Sequence, residues 1–87
     1  MARYDRTLDR VIRGTCDAAI AFEEICGLMR RLGFEERIRG SHHIFTRSDI
    51  VEIMNLQPRQ HQAKPYQVRQ VRQLILKYQL GGEPDAE

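Results

Sequence analysis

The 87-residue sequence predicts an α+β fold, with helices on one face of a three-stranded antiparallel sheet. Three observations carry this expectation. Apolar residues recur at helical spacing in two central-to-late segments, three short extended runs lie between them, and Gly or Ser–Asp pairs punctuate those runs. Hydrophobic residues make up 41% and charged residues 30%, a folded rather than a disordered balance. The length suits one domain. No apolar run approaches the ~20 residues a membrane helix needs.

Residues 1–16 read as an N-terminal extension forming a short helix, with Tyr4, Leu8, Val11 and Ile12 at roughly helical spacing. Gly14 and Thr15 interrupt it, and Asp17 is the expected N-cap of the second helix. The main domain spans 17–80. Phe22, Ile25, Cys26, Met29 and Leu32 form one stripe of a helix over about 20–32, which Gly33 ends as a C′ residue. Residues 34–39, 42–47 and 50–56 are the three strands, turned at Gly40–Ser41 and Ser48–Asp49. Residues 57–64 read as a polar loop. Pro65 suits the first turn of a last helix, whose stripe is Val68, Val71, Ile75 and Tyr78 with Leu74 beside it. Gly81 and Gly82 are expected to stop that helix, and residues 81–87 to form a flexible acidic tail.

The net charge of +2 hides an uneven distribution. From Arg30 to Lys77 ten basic residues face four acidic ones, while the flanks carry four basic and eight acidic. Arg supplies 12 of the 14 basic residues, and its planar fork matches phosphate. A basic centre of this kind fits a polyanion-binding surface, or a solvated face laced with salt bridges. Two cysteines, Cys16 and Cys26, are too few for a disulfide framework or a zinc site and point to a reducing cytoplasm. No cofactor and no metal set is expected, since adjacent strand histidines point apart.

The string LGFEERIRGSHHIFTR carries a resemblance. Gly33–Phe34, Gly40–Ser41–His42 and Phe45, followed by a third strand, Pro58 and a basic final helix, resemble the HicA (YcfA-like) toxins of HicA–HicB toxin–antitoxin pairs over about residues 20–80. The resemblance implies a double-stranded-RNA-binding-domain-like α-β-β-β-α fold, here with an extra N-terminal helix. It implies metal-independent cleavage of mRNA with a single histidine, and neutralisation by a HicB-type antitoxin. The family's catalytic histidine falls on His42, with His43 as its rival. The leading 16 residues are extra to the family's usual length, and the stretch QPRQHQAKPYQVRQVRQ departs from its usual loop and helix start. Two other functions remain open: a non-catalytic RNA-binding module of the same fold, and an antitoxin-binding interaction protein. A homo-oligomer is also open.

Alternation along the second strand gives the geometry independently. It puts His42, Ile44 and Thr46 on one face and His43, Phe45 and Arg47 on the other. Phe45 is the better core anchor, so His43 points inward with it and His42 outward. An imidazole can give or take a proton near neutral pH, and RNA brings its own 2′-OH nucleophile. Arg37, Arg39 and Arg47 are read as a phosphate clamp around His42, or as an outer face paired with Glu35, Glu36 and Glu52. Gly40 and Ser41 set the turn. Arg69 and Arg72, with Gln73, suit RNA phosphates, an antitoxin or plain solvent. His61 and Lys64 are accessory candidates in the polar loop.

Overall fold

A computed structural model describes residues 3–80, with side chains from Arg6 onward. The expected acidic tail, and the packing of Tyr4, fall outside the described residues. The element order is α1 (Arg3–Arg13), a short 3-10 turn (Asp17–Ala19), α2 (Phe22–Arg31), β1 (Glu35–Arg39), β2 (His42–Arg47), β3 (Ile50–Leu56), β4 (Pro58–Arg59), β5 (Gln62–Ala63) and α3 (Pro65–Tyr78). The main sheet has the order β1-β2-β3 and is antiparallel throughout, with the helices on one face, as the sequence predicts.

The first hairpin closes in two residues because Gly40 takes φ +58°, a conformation the strand twist favours at that place. Register pairs Arg39 with His42, Arg37 with Ile44 and Glu36 with Phe45. Phe45, Met54 and Leu56 therefore face the helices, where they meet Phe22, Ile25, Met29, Val68, Val71 and Ile75 in one buried cluster. Among the described residues, no helix covers the other sheet face, and Val51 and Ile53 lie there 89% and 66% exposed. An irregularity between Phe45 and Arg47 shifts the β2–β3 register near the second turn.

Three expectations are corrected. Asp17 does not cap α2, which begins at Phe22 after a separate 3-10 turn. Glu24 reaches back to the Ala21 N–H at 3.0 Å in that role, and the Asp17 carboxylate instead meets Arg72. The stretch 57–64 is not an open loop but contains a small hairpin, β4–β5, with Gln60 and His61 at φ +52° and +70° in its tip. Pairing explains why so polar a segment is ordered: Phe22 N–H donates to the His61 carbonyl and Ala63 N–H to the Ile20 carbonyl, both at 2.9 Å. α3 ends before the glycines, with Gln79 left-handed at its C-cap and the Leu80 N–H closing onto the Ile75 carbonyl at 3.0 Å.

The leading helix is part of the packed body. Thr7 and Val11 are buried, and Leu8 packs against the core. Arg10 donates to the Glu24 carboxylate at 3.1 Å and to the Ala19 carbonyl at 2.8 Å, which ties α1 to the entry of α2.

Candidate functional site

β2 starts directly after the Gly40–Ser41 turn, and its alternation sends consecutive histidines to opposite faces. His42 is exposed on the open sheet face. His43 is half-buried on the helix side, where its ring meets Phe22 edge-on with centroids 4.8 Å apart. Arg37 and Arg39 share the open face with His42 by register and are both exposed.

A hydrogen-bonded seam runs beside His42. Its Nδ1 lies 3.1 Å from Asn55 Oδ1 on β3. Next to it in sequence, the Ser41 hydroxyl accepts from Gln57 Nε2 at 3.0 Å, and Gln57 Oε1 accepts from Lys64 Nζ at 3.3 Å. Gln67, a buried residue at the start of α3, accepts the Gln57 N–H at 3.1 Å and donates to the Asn55 carbonyl at 3.2 Å. Ser41, His42 and Lys64 are thus linked through Gln57, Gln67 and Asn55, none of which the motif or the strand alternation singles out. The run of glutamines from Gln57 onward is the one sequence signal that points to this seam.

His43 belongs to a different network. Its Nδ1 donates to Glu36 Oε2 at 2.6 Å, and Arg30 holds the same carboxylate at 2.7 and 3.2 Å. Arg30, and then His43, keep the Glu36 carboxyl below its ordinary range. Burial and the nearby Glu36 charge push the Cys26 thiol up to about 12. Cys26, Glu36 and His43 bring their donor atoms within 4.8 Å of one another, a convergence no sequence spacing announced. Through the shared Glu36 carboxylate, Arg30 and His43 tie α2, β1 and β2 together.

Several predicted residues are elsewhere. Arg47 points to the helix side, as strict alternation requires. It donates to the Leu32 carbonyl at the end of α2 at 2.8 Å, pairs with Asp49 at 2.9 Å and lies over the Phe34 ring. Arg72 is held by Asp17 at 3.0 and 3.2 Å and by the Val11 carbonyl at 3.1 Å. Neither is brought to His42. Arg69 is exposed on α3, and His61 is exposed at the β4–β5 tip.

The arrangement presents an imidazole and, on the neighbouring strand β1, two exposed arginines of the same uncovered sheet face. Such a surface can accept a phosphate backbone and exchange a proton with it. Among the described residues, no helix is long and apolar enough to cross a membrane. A family model described as the HicA toxin of bacterial toxin–antitoxin systems matches residues 22–78, from the first residue of α2 to the last of α3. No curated protein and no solved structure gives a significant match.

Proposed function

The chain belongs to the HicA toxin family, the toxin half of a bacterial toxin–antitoxin pair, and from that premise we propose that it is a metal-independent endoribonuclease that cleaves mRNA through His42. A HicB-type antitoxin holds it in check, and the cytoplasm is where it acts. The observation that carries the reading is the matched segment itself, which contains Gly40–Ser41–His42 with that histidine exposed beside Arg37 and Arg39.

The chemistry starts with RNA's own 2′-hydroxyl. His42 takes the 2′-OH proton as the oxygen bonds to the adjacent phosphorus; the P–O5′ bond breaks, leaving a 2′,3′-cyclic phosphate, and the departing 5′-oxygen takes a proton from solvent to leave as a hydroxyl. The attack develops negative charge on the phosphoryl oxygens. Arg37 and Arg39 stabilise that charge through forked N–H donors, a role worth about 10²–10³ in rate for a well-aimed donor. Ser41, braced by Gln57, keeps the turn that presents His42. Val51 and Ile53 on the same face supply apolar surface for unstacked bases, or for the antitoxin that must cover the site.

The test is cleavage of a single-stranded RNA by purified protein with and without EDTA, alongside His42→Ala. Cutting that survives chelation and vanishes in the variant is expected. Binding without cutting would identify an RNA-binding module instead. A requirement for divalent metal would remove the single-histidine mechanism.

A further inference from the structure

Asn55 sits exposed on the open face, outside the core, yet its amide meets the proposed catalytic imidazole. Resting on the ribonuclease reading, we propose that Asn55 is a positioning residue that holds His42 as its Nδ1–H tautomer and leaves Nε2 bare to take the proton from RNA.

His42 Nδ1 and Asn55 Oδ1 are 3.1 Å apart. An amide oxygen has lone pairs and no hydrogen to give, so the bond forms only when Nδ1 carries the proton. A neutral imidazole has one N–H, which makes Nε2 the acceptor. A histidine side chain free in water favours the opposite tautomer. Asn55 therefore favours a form that an idle surface histidine holds only as its minor species.

The support behind the contact is rigid. The Asn55 carbonyl accepts from Gln67 Nε2 at 3.2 Å, and Gln67 is 6% exposed at the root of α3. Ser41, the residue before His42, is tied by Gln57, whose backbone N–H Gln67 also accepts. One buried glutamine thus fixes both the strand across from His42 and the residue that braces the turn before it. Among the described residues, the charged groups that face His42 are Arg39, paired with it across the hairpin, Arg37 one step further, Glu35 at the far end of β1, and Lys64, which reaches the Ser41 side through Gln57 at 3.3 Å. A carboxylate in place of Asn55 would set a full negative charge against the ring, whereas the neutral amide supplies orientation alone.

The experiment records long-range 1H–15N spectra of the His42 ring in the full chain, above its titration, for the wild type, Asn55→Ala and Asn55→Asp, with RNA cleavage measured on the same samples. The wild type is expected as Nδ1–H and Asn55→Ala as mainly Nε2–H. Cleavage by Asn55→Ala should fall in kcat with little change in KM, by roughly 10- to 100-fold, the range for hydrogen-bond partners of metal-bound histidines. Asn55→Asp should keep the Nδ1–H form, recover most of the rate and move the rising limb of the pH profile upward. A wild-type ring found as Nε2–H, or unchanged by Asn55→Ala, overturns the positioning role whatever the activity. RNA left uncut by the wild type, with the tautomer as expected, instead sinks the ribonuclease reading and with it the catalytic purpose of the contact.

Discussion

Arg72 and Asp17, 55 residues apart in sequence, close a two-pronged ion pair at 3.0 and 3.2 Å between α3 and the turn that precedes α2. The Arg72 guanidinium also donates to the Val11 carbonyl at 3.1 Å, near the end of α1. Gly14, at φ +72°, lies so close that a Cβ there would sit 3.0 Å from Arg72 Nη1. One side chain therefore joins the leading helix to the body that carries the family match.

Breaking this pair should loosen the molecule without touching His42. The two side chains are 20% and 16% exposed, between surface pairs worth under about 1 kcal/mol and buried pairs whose breakage costs about 3–5 kcal/mol. Arg72→Ala is expected to lower unfolding free energy by about 2 kcal/mol in urea titrations. A double-mutant cycle with Asp17→Ala should return a coupling near ~1 kcal/mol or more. RNA affinity of folded Arg72→Ala should stay at the wild-type level, and a large drop would show that Arg72 itself contributes to RNA binding.

Acid should weaken the fold in a defined window. Glu52 accepts from Lys77 Nζ at 2.7 Å and from the Tyr78 hydroxyl at 2.6 Å, and these bonds hold its carboxyl down to about 2. Glu36 is held low by Arg30 and His43. A carboxyl depressed in the folded state stabilises fully above its unfolded pKa, about 4.3 for Glu, and that share is lost as pH falls through the folded value. The denaturant midpoint should therefore decline from about pH 4.5 towards about 2. Glu52→Gln should start lower at neutral pH and decline less steeply, and an unchanged slope would mean that the Lys77–Glu52 contact does not persist in solution.

The two thiols should separate by reactivity. Cys26 is fully buried, and its thiol is pushed up to about 12 by burial and then by Glu36. Cys16 is only partly buried. Since the thiolate is the nucleophile, one equivalent of a disulfide reagent should be consumed by the native protein near ~pH 8, and a second only after unfolding. Rapid native labelling of Cys26 would show that α2 opens from β1 far more readily than its packing allows.

Much of this fold is written in local pattern. The stripes of α2 and α3, the strand alternation and the Gly40 turn are each decided by residues within a few positions of one another, and period and turn chemistry suffice to read them. The facing of His42 and His43 is legible for the same reason. Asp17 misleads because an acidic residue ahead of a helix looks like a cap, whereas its partner lies in α3 and nothing local marks it. The β4–β5 hairpin is hidden because its stability comes from pairing with Ile20 and Phe22, far away in sequence. Gln67 is no easier to find. A glutamine beside an apolar stripe is ordinarily solvent-facing, and its burial makes sense only with the Gln57 N–H and the Asn55 carbonyl as its partners.

The adjacent histidines offer the sharpest separation of framework from function. His43 is clamped to Glu36 at 2.6 Å and set edge-on against Phe22, so His43→Ala removes a charged hydrogen bond and an aromatic contact beneath α2. It should cost about 1–3 kcal/mol and leave Arg30 as the partner of Glu36. His42 meets Asn55 on an open surface, and His42→Ala should change stability by less than about 0.5 kcal/mol. Cleavage should behave the opposite way. His42→Ala is expected to lose about 10²–10⁴ in rate with RNA binding retained, the share general acid–base catalysis contributes. His43→Ala should lose activity only as its folded fraction falls, and recover it at low temperature. A His43→Ala protein that is folded yet inactive, beside an active His42→Ala, would move the chemistry to the Glu36–His43 pair.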